Sequence, residues 1–183
     1  PCGYNGPIVT ANYERGIKGF CNAGIEYERY EFDAQYKHHM RSLSLLQMRA
    51  GVGFYSHKGD DWYFLDYSNF RENNIPGGWN DDWACDFQLL NSNWYNASKY
   101  YVRTNVTYES PLMLLAKLPW VGHIIEMERI YMNTLFVEHL HPYVEYGYGF
   151  TNRFFSMGVF LSTRNSSFGE VGCRFAFELF RNW

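Results

Sequence analysis

The chain has 183 residues, a formal net charge of −3 and an aromatic content of 20%. This length is enough for one domain with a core of its own, and the charge gives no support for nucleic-acid binding. No stretch reaches the roughly 18 uninterrupted apolar residues of a transmembrane helix. The mean hydropathy is negative, and so many aromatic residues in a hydrophilic chain are typical of a membrane β-barrel with aromatic girdles.

Alternation of apolar and polar residues, which gives a β-strand two unlike faces, recurs along the chain. In residues 99–109, Tyr100, Val102 and Val106 alternate with Arg103 and Asn105. The pattern is weakest in residues 128–138, which have apolar residues on both sides. The predicted strands are residues 8–15, 29–37, 46–54, 99–109, 128–138, 142–150, 152–164 and 168–183.

The last predicted strand ends on an aromatic residue, as the strands that close outer-membrane barrels do. In this strand bulky apolar residues alternate with small or charged ones, and only Arg181 interrupts the alternation. The Arg181 side chain would reach the lipid headgroups. We therefore expect this strand to carry a C-terminal assembly signal, formed by Phe175, Phe177, Leu179 and Trp183.

Alternation alone also fits a soluble, lipocalin-like barrel with its apolar face inward. We favour the membrane interpretation because the polar face mixes charged residues with glycine, as a wet lumen does, and aromatic residues lie towards strand ends. The charges that we expect to face the lumen are Arg49, Arg103, Glu109, Glu145, Arg174 and Glu178. We favour a satisfied salt-bridge network over a conduction path for this set.

The connections predict which end of each strand is external. If the C-terminus is periplasmic, the tight turn at residues 151–152 is periplasmic and the long connection 56–98 is external. Residues 110–127 are then periplasmic, and their apolar side chains predict a short interfacial helix broken at Pro119. Residues 83–91 are treated as loop, although Cys85, Phe87 and Leu89 alternate and would suit a ninth strand.

Four segments resemble the C-terminal part of a Bacteroidetes family of outer-membrane proteins of unassigned function. Its members typically carry a carboxypeptidase-regulatory-like domain ahead of a large barrel. The segments are residues 69–79 (Asn-Phe-Arg-Glu-Asn-Asn-Ile-Pro-Gly-Gly-Trp), 108–112 (Tyr-Glu-Ser-Pro-Leu), 141–150 (His-Pro-Tyr-Val-Glu-Tyr-Gly-Tyr-Gly-Phe) and 171–180 (Val-Gly-Cys-Arg-Phe-Ala-Phe-Glu-Leu-Phe).

More distantly, the order of elements is similar to the second half of the barrel-assembly and two-partner-secretion superfamily. That resemblance implies a barrel of about sixteen strands, of which this chain supplies the last half. It also implies that the long external loop folds into the lumen. The loop tip here would be Pro76, Gly77, Gly78 and Trp79, which lacks the arginine of the superfamily's tip; an ordinary Pro/Gly turn is an equal alternative.

No motif indicates a metal, a cofactor or an enzyme. The four cysteines, Cys2, Cys21, Cys85 and Cys173, have no CxxC spacing. The histidines at positions 38, 39, 139 and 141 lie at strand ends and are interpreted as solvated loop residues. No spacing pairs a nucleophile with a base, so we expect no catalytic activity, and no cofactor.

Together, these features predict that residues 1–183 are part of an all-β, antiparallel transmembrane β-barrel in a bacterial outer membrane. Because the chain begins with Pro1, we expect it to be either a mature product or the back portion of a longer protein, and we favour the second. The leading hypothesis is a transport or protein-assembly barrel with a loop in its lumen. The alternative is a structural or surface-interaction barrel that binds a partner or glycan through external loops. The expected partners are the lipid bilayer, the upstream strands of the same barrel and the outer-membrane assembly machinery.

Overall fold

The computed structural model describes residues 6–18, 26–40, 43–58, 83–90, 98–120, 122–138 and 140–177. Within these ranges there is no α-helix, and no helix is long and apolar enough to cross a membrane. In the described part of the chain one 3-10 turn is present, at Leu115–Lys117. The strands are β1 (Ile8–Gly16), β2 (Tyr27–His39), β3 (Leu45–Lys58), β4 (Tyr100–Ser110), β5 (Ile125–Val137), β6 (Leu140–Asn152), β7 (Phe155–Arg164) and β8 (Ser167–Phe177).

All eight strands form one sheet in sequence order, and each strand is antiparallel to the next. The all-β class and the strand count are therefore confirmed, including the weakly patterned β5. Residues 83–90 form no strand, so the loop interpretation holds for them. Within the described part of the chain no pairing joins β1 to β8, and the sheet is open.

The two ends of the sheet differ in one long connection. At the upper end lie the connections 17–26, 59–99, 138–139 and 165–166; at the lower end lie 40–44, 111–124 and 153–154. Two-residue connections occur at both ends, so short turns do not distinguish the ends, and the turn predicted at residues 151–152 is at 153–154. Asn165 and Ser166 both have positive φ (48° and 66°), as a tight hairpin turn with right-handed strand twist requires. The length of residues 59–99 alone distinguishes the upper end.

The apolar positions of the strands line up on a face that is exposed. The register pairs Phe32 with Val52, Val52 with Val102 and Val102 with Phe136, which makes one row across four strands. Each of these side chains is between 37% and 45% exposed. A sheet folded in water normally turns such a row towards its core. We call this the outer face.

The opposite face, which we call the polar face, is the buried one. Arg103, Asn105 and Thr107 of β4 are covered, as are Asn133 of β5 and Glu145 of β6. Charged and amide side chains are rarely buried unless they are paired. The polarity of this sheet is thus the reverse of that of a soluble sheet. This inversion is the main physical feature of the fold.

Towards the upper end the polar face also holds a small apolar core. Its members are contributed by strands and by the 83–90 segment together, and Tyr55 and Leu140 pack beside them: Phe87, Leu90, Tyr101, Leu135, Val137 and Tyr143. This explains the weak alternation of β5, because Leu135 and Val137 are apolar residues in polar-face positions. They lie in one buried cluster with Phe87 and Leu90.

Candidate functional site

The 83–90 segment lies on the polar face of the sheet. Phe87 is only 2% exposed, and its ring centroid is 5.9 Å from that of Tyr143 on β6. The Trp83 ring meets Phe160 of β7 edge-on, with centroids 6.1 Å apart. Aromatic pairs in these geometries contribute roughly 0.5–1.5 kcal/mol beyond their area burial. The segment is therefore packed against the strands and does not merely pass over them.

The Glu145 carboxylate binds the main chain of the 83–90 segment. The backbone N–H of Gln88 donates to Oε1 at 2.8 Å, and that of Leu89 donates to Oε2 at 2.9 Å. The Tyr143 hydroxyl donates to Oε2 at 3.0 Å, and the Asn133 amide donates to Oε1 at 3.4 Å. The Glu145 side chain is fully buried. An ionised carboxylate accepts about four hydrogen bonds, so these donors satisfy it.

Other side chains of the polar face also form hydrogen bonds with the main chain of the 83–90 segment. Asn133 Nδ2 donates to the Asp86 carbonyl at 2.9 Å, and Arg174 Nη2 donates to the Gln88 carbonyl at 2.6 Å. The Cys85 N–H donates to Thr107 Oγ1 at 3.1 Å. Cys85 has a φ of 60°, in the left-handed region that costs a non-glycine residue roughly 1–2 kcal/mol. The polar face thus fixes the path of this backbone, including a strained residue.

Two glycines let the segment approach the sheet closely. A Cβ at Gly172 of β8 would lie 2.5 Å from Leu89 Cδ2. One at Gly158 of β7 would lie 2.9 Å from Trp83 Cζ3. Both distances are too short for ordinary contact. The glycines on this face therefore provide the space that the two side chains occupy.

An ion cluster extends the site to β2 and β3. Asp33 accepts hydrogen bonds from Arg49, whose Nη2 is 2.8 Å from Oδ2, and from Arg103 Nη2. Arg49 Nη1 also lies 3.6 Å from Asp86 Oδ1 in the 83–90 segment. Each arginine occupies a position on the polar face where an unpaired guanidinium would be costly. Asp33 therefore links three strands, and Arg49 connects them to the segment through Asp86.

We expect Asp33→Asn to lower the free energy of unfolding by about 2 kcal/mol, because it leaves two arginines without their shared partner. This expected loss of unfolding free energy is smaller than the loss for a fully buried ion pair, because Arg49 and Asp33 keep some solvent contact. Denaturant unfolding of the purified protein measures this loss. The matched control is Glu170→Gln, whose pair with Arg164 is exposed and should cost under about 1 kcal/mol. Equal losses in the two variants would contradict the role given to Asp33.

The structure brings together five of the six charged residues that the sequence singled out. Arg49, Arg103, Glu109, Glu145 and Arg174 all lie in register on the polar face. Glu109 pairs with Arg129 at 2.8 Å, nearer the lower end of the same face. Glu178 lies outside the described residues.

The other predicted site residues also fall into two groups, those that the structure describes and those that it does not. Phe175 and Phe177 lie on the outer face of β8 and are 60% and 63% exposed. Leu179 and Trp183, and the loop-tip residues Pro76, Gly77, Gly78 and Trp79, lie outside the described residues. In the part of the chain that is described, no group of three or more His, Cys, Asp or Glu is placed to hold a metal ion.

Sequence reasoning did not identify Asp33 or Asn133 as parts of this site, and within the 56–98 loop it singled out the tip at residues 76–79 rather than the 83–90 segment. For Asp33 and Asn133 a signal exists, since both occupy polar-face positions of predicted strands. For the segment, the sequence pattern indicated a different structure, because its alternating apolar residues are typical of a strand. Its binding depends on main-chain donors, which no side-chain pattern records.

The fold and site define an all-β protein built on one open, up-and-down sheet with an apolar outer face and an occupied polar face. A family model described as "Family of unknown function (DUF5686) C-terminal domain" matches residues 2–150. The chain belongs to this family, which agrees with the resemblance to a family of unassigned function. Neither the curated proteins nor the solved structures contain a significant match.

Proposed function

We propose that this chain forms the C-terminal half of an outer-membrane β-barrel of transport or protein-assembly type. The observation that carries the proposal is the reversed polarity of the sheet. A row of side chains such as Phe32, Val52 and Val102 is exposed, while Arg103, Asn105 and Glu145 are buried. Lipid is the surrounding in which an apolar exterior and a polar interior are both favourable.

In this arrangement the polar face is the wall of a lumen, and the 83–90 segment occupies it. The segment is held by Glu145, Asn133 and Arg174 through its main chain, so the contacts suit a plug or constriction. This extends the hypothesis of a loop folded into the lumen. The same proposal includes a relationship to the barrel-assembly superfamily and a Bacteroidetes origin. It also includes that the protein has no catalytic activity.

Closure of the barrel needs further strands. β1 and β8 each pair on one side only within the described sheet, and a free strand edge has no hydrogen-bonding partner in lipid. We propose that strands from an upstream segment of the same protein pair with these edges, to give a barrel of about sixteen strands. Phe175 and Phe177 on β8 would then take part in recognition by the outer-membrane assembly machinery.

Single-channel recording of the full-length protein in planar bilayers tests the transport role. Replacing residues 83–90 by a Gly/Ser segment of equal length keeps the loop and removes the contacts. We expect the conductance to rise several-fold, because the lumen is no longer filled. The Glu170→Gln variant, altered on an exposed hairpin, is the control and should conduct as the unaltered protein does. Unchanged current after the replacement would overturn the transport role and favour a barrel that binds a partner or glycan through external loops.

A further inference from the structure

One carboxylate lies on the outer face and is nevertheless completely buried. The register places Glu128 of β5 opposite Ser110 of β4 and Phe150 of β6, two positions along from the exposed Ile130. Its side chain is 0% exposed. On a face that is mainly apolar, an uncovered carboxylate near this position would be costly in contact with lipid. Something must therefore cover Glu128.

The connection 111–124 is what covers it. Glu128 accepts the backbone N–H of Leu114 at Oε2 and that of Ala116 at Oε1, both at 2.6 Å. The Tyr148 hydroxyl donates to Oε2 at 2.9 Å. These bonds hold the 3-10 turn at Leu115–Lys117 against the outer face of β5 and β6. The carboxylate thus fixes the path of the connection at the lower end of the sheet.

Held in this way, the connection exposes large apolar side chains. Four of them, which we call the ridge, are between 47% and 86% exposed: Leu112, Leu114, Leu118 and Trp120. Lys117 is exposed beside them. Phe154, in the next connection at the same end, is 67% exposed. The ridge is therefore continuous with the apolar outer face above it, through residues such as Ile130 and Met132.

We propose that the ridge is a bilayer anchor, seated at the boundary between headgroups and acyl chains at the lower end of the barrel. Glu128 is its positioning residue. This inference rests on the proposed membrane location and adds a lipid-binding surface to it. Lipid is the occupant that fits, since the ridge continues the apolar band, Trp120 is suited to an interface, and Lys117 complements the phosphates of headgroups.

The test uses the full-length protein with all of its cysteines, including the four in this chain, replaced by serine and a fluorescent probe attached at Trp120→Cys. The protein is inserted into phosphatidylcholine vesicles that carry lipid quenchers at shallow or deep positions. We expect quenching at position 120 to be stronger with the shallow quencher. Met132→Cys on the outer face should respond to the deep quencher, and Ser166→Cys in the exposed upper hairpin should respond to neither.

The outcomes separate the ridge from the membrane location. If position 132 is quenched and position 120 is not, the ridge faces water and the anchor is overturned, while the proposed function stands. If position 132 is not quenched either, the membrane location itself is overturned, and the anchor with it. Shallow quenching at position 120 supports both.

The role of Glu128 is tested in the same preparation. In Glu128→Ala we expect quenching at position 120 to fall at least two-fold while quenching at position 132 stays the same. Glu128→Gln keeps an acceptor oxygen for one backbone N–H and should restore part of the signal. If Glu128→Ala leaves both positions unchanged, or reduces both together, Glu128 is not a positioning residue for the ridge. Should that variant fail to insert, the Glu128→Gln comparison decides.

Discussion

Replacing Glu145 with alanine is expected to release the 83–90 segment from the polar face. The change removes the acceptor of the Gln88 and Leu89 backbone N–H groups and of the Tyr143 hydroxyl. Hydrogen bonds to a charged group each contribute roughly 1.5–3 kcal/mol, and we expect the bound state of the segment to lose about 3 kcal/mol. That loss corresponds to a rise of more than 100-fold in the population of the released state.

The labelling rate of Cys85 measures this release, because Cys85 lies within the segment. All other cysteines of the protein are replaced by serine, and a water-soluble maleimide is added to the protein in vesicles. In Glu145→Ala the rate should rise by about two orders of magnitude. Glu109→Ala is the matched control, because Glu109 is a polar-face carboxylate paired with Arg129, and its labelling should not change. Similar rates in both variants would show that Glu145 does not hold the segment.

Arginine at position 132 is expected to impair insertion strongly. Met132 lies near the middle of β5 on the outer face and is 46% exposed. An arginine near the bilayer midplane on the lipid face of a barrel costs about 2–4 kcal/mol, whereas near the interface it costs about 0–1 kcal/mol. Folding into vesicles, followed by heat-modifiable gel migration over a urea series, measures the difference.

Phe168→Arg provides the matched comparison for position 132. Phe168 is also on the outer face and exposed, but it lies beside the upper hairpin at the start of β8. We expect this variant to fold nearly as the unaltered protein does. A protein that tolerated Met132→Arg as well as Phe168→Arg would not be using its outer face to contact hydrocarbon.

The sequence predicted the strands well because the two faces meet different surroundings. Met132 and Asn133 are neighbours in sequence, and their side chains lie on opposite faces, one exposed and the other buried. The residue types of the two faces therefore differ. For this reason the alternation in the sequence predicts the strands, their order and the residues of the polar face. The all-β class follows from the same signal.

What sequence reasoning missed depends on contacts that alternation does not encode. Glu145 was expected on the polar face, but its two backbone donors come from a segment more than fifty residues earlier in the chain. Glu128 occupies an outer-face position, where a carboxylate breaks the pattern until the 111–124 connection is seen to cover it. Leu135 and Val137 blur the alternation of β5 because they pack with Phe87. In each case the missing information is a tertiary contact with a connection between strands.

Quencher accessibility along β5 tests the central claim most directly. Single cysteines are placed at successive positions from Ile130 to Val137, labelled with a fluorescent probe, and studied in vesicles that contain a deep lipid quencher. The account predicts strong quenching at the outer-face positions 130, 132, 134 and 136, and little at 131, 133, 135 and 137. Quenching confined to the second set, equal quenching in both sets, or none in either would contradict it.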